Sequence, residues 1–325
     1  MTTTRREIGD SGIEVVPLAF GGNVFGWTID EPTSFRLLDA FVDRGFDLID
    51  TADVYSRWVP GNQGGESETI IGNWLARTGN RARVVIATKV GMDMGDGKKG
   101  LSRAYILRAV EDSLKRLKTD YIDLYQSHTD DSGTPLDAAL RAFQDLIKQG
   151  KVRAIGASNY TASRLSEALK ISDAQGLARY VSLQPLYNLY DREDYEAQLE
   201  DVCRQNHLAV FPYFSLASGF LTGKYRSVSD TEGRTRGGHV TKYLTERGFS
   251  ILKALDTVAA DNHSSPAKVA LAWLLAKPTI TAPIASATNL DQLRDLFDAV
   301  DLRLDEDSVN TLDQASAWRL ETASA

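Results

Sequence analysis

A carboxylate, a phenol, an ammonium and an imidazole can together deliver a proton to a carbonyl. This chain places one of each where an apolar run gives out: Asp50 and Tyr55 in FDLIDTADVYS (46–56), Lys89 at the end of RVVIATK (83–89) and His128 just after YIDLYQS (121–127). A tyrosine with its ordinary pKa of about 10 is a poor acid near neutrality, but a nearby ammonium favours the phenolate and lowers that pKa. Lys89 is placed to supply that field, Asp50 to keep the lysine charged and aimed, and His128 to hydrogen-bond and orient the carbonyl oxygen. No protein side chain delivers a hydride, so reduction of that carbonyl calls for a nicotinamide. Taken singly, each residue has an ordinary alternative: a strand-end aspartate is most often a cap or turn residue, a lone lysine is solvated, and a lone histidine belongs to core or surface. What favours chemistry is that all four fit one mechanism at one end of one expected sheet.

That shared end follows from the period of the chain. Short apolar runs alternate with segments whose apolar residues recur at three- and four-residue spacing, which is the pattern of βαβ units. Strands are expected at 17–21, 46–50, 83–89, 121–127, 152–157, 180–184, 208–213 and 279–285. Helices lie between them, among them 33–44, 102–118 and 136–149, the last stopped by Gly150 as a C-cap. Eight such units predict an α/β fold, a (β/α)8 TIM barrel forming one domain over 1–325, with chemistry where the strands end. At that mouth Ser158 and Asn159 end the fifth strand and Gln184 the sixth. The opening REIGDSGIEV reads as a β-hairpin closing the barrel bottom, and 226–248, rich in Gly, Ser and charge, as a long mobile loop over the top.

Composition bounds the partners. The chain has 325 residues, 42% hydrophobic and 25% charged, enough for one large core. A net charge of −7 with a pI near 5.3 argues against a nucleic-acid surface or an acidic membrane as partner and leaves a small molecule as the expected one. A single cysteine, Cys203, rules out an internal disulfide, and MTTTRREIGD has no apolar signal-peptide core, so a cytoplasmic location is expected. VALAWLLA (269–276) is too short to cross a bilayer and reads as a core helix. GDGKKG (95–100) has the letters of a dinucleotide fingerprint, but VGMDM separates it from the strand and Ser102 is the better helix N-cap, so it reads as a solvated turn. GASNY lacks the second glycine of a nucleophile elbow. His207, His239 and His263 show no paired ligand spacing, Cys203 in LEDVCRQ reads as a buried thiol, and no metal is assigned.

The runs DLIDTADVYS, GGESETIIGNWL, IATKVG, IDLYQSH, VRAIGASNY, SLQPLYNL and SGFLTGKY resemble, in order and over nearly the whole chain, those of the aldo-keto reductase superfamily. The resemblance implies a (β/α)8 barrel that transfers a hydride between NAD(P)H and an aldehyde, ketone or keto-sugar, or oxidises an alcohol in reverse. It implies a catalytic tetrad of Asp50, Tyr55, Lys89 and His128, with Tyr55 as general acid/base. It further implies that Gly22, Asn23 and Asp50 touch the cofactor, that Ser158, Asn159 and Gln184 bind its carboxamide, and that Tyr213 stacks on its ring. Phe214, Ser215, Leu216, Ala217 and Ser218 would wrap the pyrophosphate.

The chain also departs from that pattern. Relatives usually carry glycine where Ser286 stands, and many carry Glu-Asn in place of Asp295-Leu296. Ser286, Thr288, Gln292 and Asp295 still suit the adenosine end, whereas Leu296 cannot make an amide's hydrogen bonds. No Lys or Arg lies between Ala285 and Leu293, so Lys224 and Arg234 are the expected partners of a 2′-phosphate. NADPH/NADP+ is the expected cofactor, with NADH possible. Trp27 and Trp58, in the loops after the first two strands, either line a substrate pocket beside Tyr55 and His128 or pack their own loops. The short tail WRLETASA is consistent with an open pocket for sugars, polycyclic alcohols or varied aldehydes. Potassium-channel β-subunits resemble the same family and keep the same tetrad, so a redox-sensing, nicotinamide-binding regulatory subunit is the second class. With no long N-terminal extension and a tight loop from GFD to VYS, the enzyme is the expected one. Substrate, direction and oligomeric state stay open.

Overall fold

The computed structural model describes residues 4–318; residues 319–325, which make up most of the WRLETASA tail, lie outside it. Strands β1 (Arg6–Glu7) and β2 (Glu14–Val15) pair antiparallel in the expected hairpin. Eight parallel strands follow: β3 (Ala19–Gly21), β4 (Leu48–Asp50), β5 (Val85–Val90), β6 (Ile122–Ser127), β7 (Val152–Ser158), β8 (Tyr180–Gln184), β9 (Ala209–Val210) and β10 (Ile284–Ala285). Their order is β10-β3-β4-β5-β6-β7-β8-β9. The ends of that series meet through a bridge between Val210 and Ile280 and through Ile284 N donating to Pro212 O at 3.0 Å, which curls the sheet into a (β/α)8 barrel. Ile8, Ile13 and Val15 of the hairpin region are buried in one apolar cluster with Ala19, Leu48, Ala87 and Leu124, so the hairpin plugs the barrel.

Six strands start later than the periodicity predicts and β9 also ends early, at Val210; proline explains the two largest losses. Pro212 interrupts 208–213 and Pro283 interrupts 279–285; neither has an N–H to give to a ladder, so β9 and β10 keep two residues each.

The helices are α1 (Glu31–Asp43), α2 (Glu66–Thr78), α3 (Arg103–Leu117), α4 (Leu136–Lys148), α5 (Ala162–Gln175), α6 (Glu200–Gln205), α7 (Gly237–Val240), α8 (Glu246–Asp261), α9 (Pro266–Ala276), α10 (Leu290–Asp301) and α11 (Glu306–Ala315). On α4 the stripe Leu136, Leu140, Phe143 and Leu146 is buried against the barrel, each side chain contributing about 1.5–3 kcal/mol. Gly150, at φ +72°, stops that helix as expected. Helix α1 begins two residues before the predicted start because Asp30 accepts from Thr33 N and Pro32 suits the first turn. Ser102 caps α3. The segment 226–248 is no loose loop: it consists of short helical turns, α7 and the start of α8. It is held by Arg226 on both oxygens of Asp256, and by Arg226 N and Ser227 N donating to Asp230.

Helices α2 and α3 approach so closely that a Cβ on Gly72 would lie 2.0 Å from the Arg116 carbonyl oxygen. Gly72→Ala is therefore expected to destabilise by about 1–3 kcal/mol through overpacking, outweighing the roughly 1 kcal/mol that Ala gains in helix propensity. A lower urea midpoint at unchanged slope would record it.

Candidate active site

Asp50 ends β4 and Lys89 is next to last in β5, so neighbouring strands present a carboxylate and an ammonium at one mouth of the barrel. Lys89 Nζ lies 2.8 Å from both Asp50 oxygens, 2.7 Å from Thr51 O and 3.0 Å from the Tyr55 hydroxyl. A carboxylate, a carbonyl and a phenol thus use all three ammonium protons. Tyr55 donates its own proton to Asp50 Oδ2 at 3.2 Å, and Gln184 Nε2 donates to Asp50 Oδ1 at 2.9 Å. His128, just past β6, sets its ring edge-on to Tyr55 with centroids 6.0 Å apart. The four strand-end groups are together.

Their protonation differs from expectation at one position. Burial pushes the Tyr55 phenol well above its ordinary range and the adjacent Asp50 pushes it further, whereas Lys89 was expected to lower it. The reason is geometric: the ammonium is paired with Asp50, so its field at the phenol is largely cancelled while the carboxylate takes the phenol's proton. Burial also lowers the Lys89 ammonium against the opposing pull of Asp50. His128 is held well below its ordinary range by burial and by Lys89, so its imidazole is neutral, and Nδ1 is buried without a partner among the described residues.

These groups open onto a cleft of about 980 Å³. Of the residues singled out in the sequence, Asn23, Ser158, Asn159, Gln184, Tyr213 and Phe214 line it, as do Ser215, Leu216, Ser218, Lys224 and Arg234, and Ser286, Thr288, Gln292 and Asp295. Three do not. Gly22 packs where a Cβ would meet Asp50 O and Ser67 Oγ at 2.9 Å, and Gly21 faces the cleft instead. Ala217 is fully buried. Trp27 sets its ring edge-on to Trp58 at 5.5 Å, under the Arg236 guanidinium; Trp58 itself lines the cleft, 49% exposed and edge-on to Tyr55. Loop packing accounts for Trp27 and pocket lining for Trp58.

Hydrogen bonds hold the wall in place. Asn159, at φ +54°, donates to His128 O at 2.8 Å and accepts from the Tyr213 hydroxyl at 2.8 Å, and Ser158 Oγ donates to Gln184 O. After β9, Phe214, Ala217, Ser218 and Gly219 all take positive φ, turning the backbone into the kind of concave nest that receives anions. Beyond it stand Lys224, Arg234 and Arg236, none ion-paired among the described residues, and the Lys224 ammonium is lowered by burial and by the two guanidinia. Asp295 is paired with Lys268 at 3.1 Å, and Ser286 Oγ lies 2.7 Å from Gly21 O and 2.8 Å from Asn23 Oδ1, tying β10 to the mouth of β3. Sequence reasoning missed Met92, Thr28, Thr235 and Arg236 as lining residues. Arg236 had a signal in RTR (234–236), hidden inside a segment read as loose.

Among the described residues no helix is long and apolar enough to cross a membrane, and no three His, Cys, Asp or Glu side chains are grouped to hold a metal. Fold and cleft define a (β/α)8 barrel with a ligand-sized site at its mouth. The chain belongs to the aldo/keto reductase family, whose family model matches residues 17–317. It is 36% identical over 313 residues to the uncharacterized oxidoreductase YrpG of Bacillus subtilis, covering 94% of this chain and 93% of that one. It is 34% identical to the aldo-keto reductase YhdN of the same organism over 319 residues, 94% and 92% of the two chains. A probable voltage-gated potassium channel subunit beta of Arabidopsis thaliana is 30% identical over 305 residues, 91% of each.

Proposed function

We propose that this protein is an NADPH-dependent carbonyl reductase acting on aldehydes, ketones or keto-sugars, with Tyr55 as the general acid and, in reverse, the base. The observation that carries this reading is the Tyr55 hydroxyl on the cleft, 3.0 Å from a fully buried ammonium and 3.2 Å from its paired carboxylate. The cleft fits the cofactor: an anion-receiving backbone turn and three unpaired cations lie at one end, with amide and hydroxyl groups at the other. Ser158, Asn159 and Gln184 would hold the carboxamide, Gln184 through Oε1 because Nε2 is engaged by Asp50, and Tyr213 would stack on the ring. Asn23, Phe214, Ser215, Leu216 and Ser218 would border the phosphates and ribose, and Ser286, Thr288, Gln292 and Asp295 the adenosine. When bound, the nicotinamide supplies the hydride.

The chain's own residues do the rest. In the resting site the Tyr55 proton points at Asp50; rotation about the phenol C–O bond turns it to a carbonyl oxygen that neutral His128 orients. As that proton leaves, Lys89 already donates to the phenolate oxygen, so the new charge meets a fixed donor in a buried site. The high phenol pKa keeps the proton on Tyr55 until the carbonyl oxygen becomes basic enough to take it.

Single-turnover oxidation of NADPH against aldehydes, keto-sugars, quinones and steroid-like ketones tests the proposal. Tight NADPH binding with no turnover across the panel would instead favour a regulatory subunit, the class that the Arabidopsis relative's name describes. Cofactor choice has its own test. Replacing Lys224 or Arg234 by Ala is expected to cost NADPH binding about 1–3 kcal/mol and NADH binding far less, measured by fluorescence quenching. Equal losses for the two cofactors would remove those residues from 2′-phosphate recognition.

A further inference from the structure

A buried acid stands behind the tetrad without a part in the mechanism above. Asp53 lies three residues after Asp50 and two before Tyr55, is 2% exposed, and its amide donates to the carbonyl of Lys89 itself at 3.3 Å. Its Oδ1 is buried with no hydrogen-bond partner among the described residues. A second acid, Glu68 on α2, is fully buried nearby but fully engaged: Thr88 Oγ1 donates to it at 2.6 Å and Arg116 Nε, from α3, at 2.7 Å. Arg116 is therefore ion-paired with Glu68, and Asp53 has no salt bridge among the described residues. The titratable and charged groups around Asp53 are Glu68 on α2, Arg116 and Tyr105 on α3, Lys89 on β5 and Tyr125 on β6.

We infer that Asp53 is a positioning residue for the reaction: its buried carboxyl, tied by its own amide to the Lys89 backbone and with one oxygen left without a donor among the described residues, sets how firmly Lys89 keeps its ammonium and so fixes the alkaline limit of turnover. A buried carboxylate with one oxygen lacking a donor, set next to Glu68, is costly, so the proton stays on. Burial, reinforced by Glu68 and opposed by Arg116, pushes the Asp53 carboxyl up to about 8. Lys89 has the opposite problem: burial drives its proton off, and Asp50, Asp53 and Glu68 hold it on. As pH rises past Asp53's titration the new negative charge arrives when Lys89 most needs it.

The kinetic arm rests on the reductase reading; the other two do not. Asp53→Asn keeps the shape and removes the ionisation. Its single-turnover rate is expected to match the unmodified protein near pH 7 and to fall on the alkaline side earlier, by about one pH unit or roughly tenfold in rate at a fixed high pH. An unshifted alkaline limb overturns the inference. A native carboxyl that holds its proton more tightly than the unfolded chain stabilises fully below the unfolded pKa, and that stability is lost as pH rises through the folded value. The thermal midpoint of the variant minus that of the unmodified protein is therefore expected to rise across the neutral range; a flat difference counts against the inference. Should the variant fail to fold, the unmodified protein decides, by ¹³C NMR of carboxyl-labelled aspartate. One aspartate resonance titrating near pH 8 supports the assignment, and a set titrating wholly within the ordinary carboxylate range overturns it, with or without turnover.

Discussion

Tyr55→Phe is expected to lower kcat for carbonyl reduction by about a hundred- to ten-thousand-fold, the usual worth of a positioned general acid, while NADPH affinity stays within a factor of two or so. The substitution removes one oxygen. It leaves the ring against Trp58 and His128, leaves Lys89 bonded to Asp50 and Thr51, and deletes the hydroxyl proton that Tyr55 donates to Asp50. Because the loss falls on the chemical step, single-turnover rates should drop as far as steady-state ones, and quenching titrations with NADPH should superimpose. Unimpaired reduction in this variant would take the tyrosine out of the mechanism.

Lys89→Met is expected to damage stability and rate together. The methionine fills the space of the lysine stem but strands Asp50, 2% exposed, with a buried charge and no cation, a change that costs about 3–5 kcal/mol. The deficit should shrink as pH falls, since protonation neutralises the stranded carboxylate, so denaturant midpoints of variant and unmodified protein should converge in acid. Turnover should fall by about ten- to a hundred-fold for loss of a charge-assisted bond of roughly 1.5–3 kcal/mol to the forming phenolate. A variant as stable as the parent at neutral pH would mean that Asp50 finds another donor, with Gln184 Nε2, already 2.9 Å away, the first to consider.

How much of this was legible beforehand varies with the physics involved. Lys89 and Asp50 could be placed together because strand-end position and barrel closure are properties of the hydrophobic period, and each stands at the end of a run that has one clear direction. The protonation of Tyr55 could not. It depends on whether Asp50 cancels the lysine's field, which is decided by separations of 2.8 to 3.2 Å that no spacing in the sequence encodes. The segment 226–248 misled for another reason: turns of three or four residues are too short to leave a period, so their Gly and charge content looks like slack. Arg236 was lost with it. Strand ends were overrun at Pro212 and Pro283, where apolar content continued but the backbone donor did not.

Those two prolines leave the barrel mechanically uneven. From β5 to β8 neighbouring strands share long parallel ladders, but the circle is completed by two-residue strands, a single bridge and a few bonds around Val210, Thr281 and Ile284. Fewer bonds must break there to part the strands, so the molecule has a soft seam opposite a stiff wall. Lys89, on β5, stands in the stiff part. The nest that follows β9 and the residues that follow β10 hang from the seam, so parting of the strands there would move those walls of the cleft before it moved Lys89.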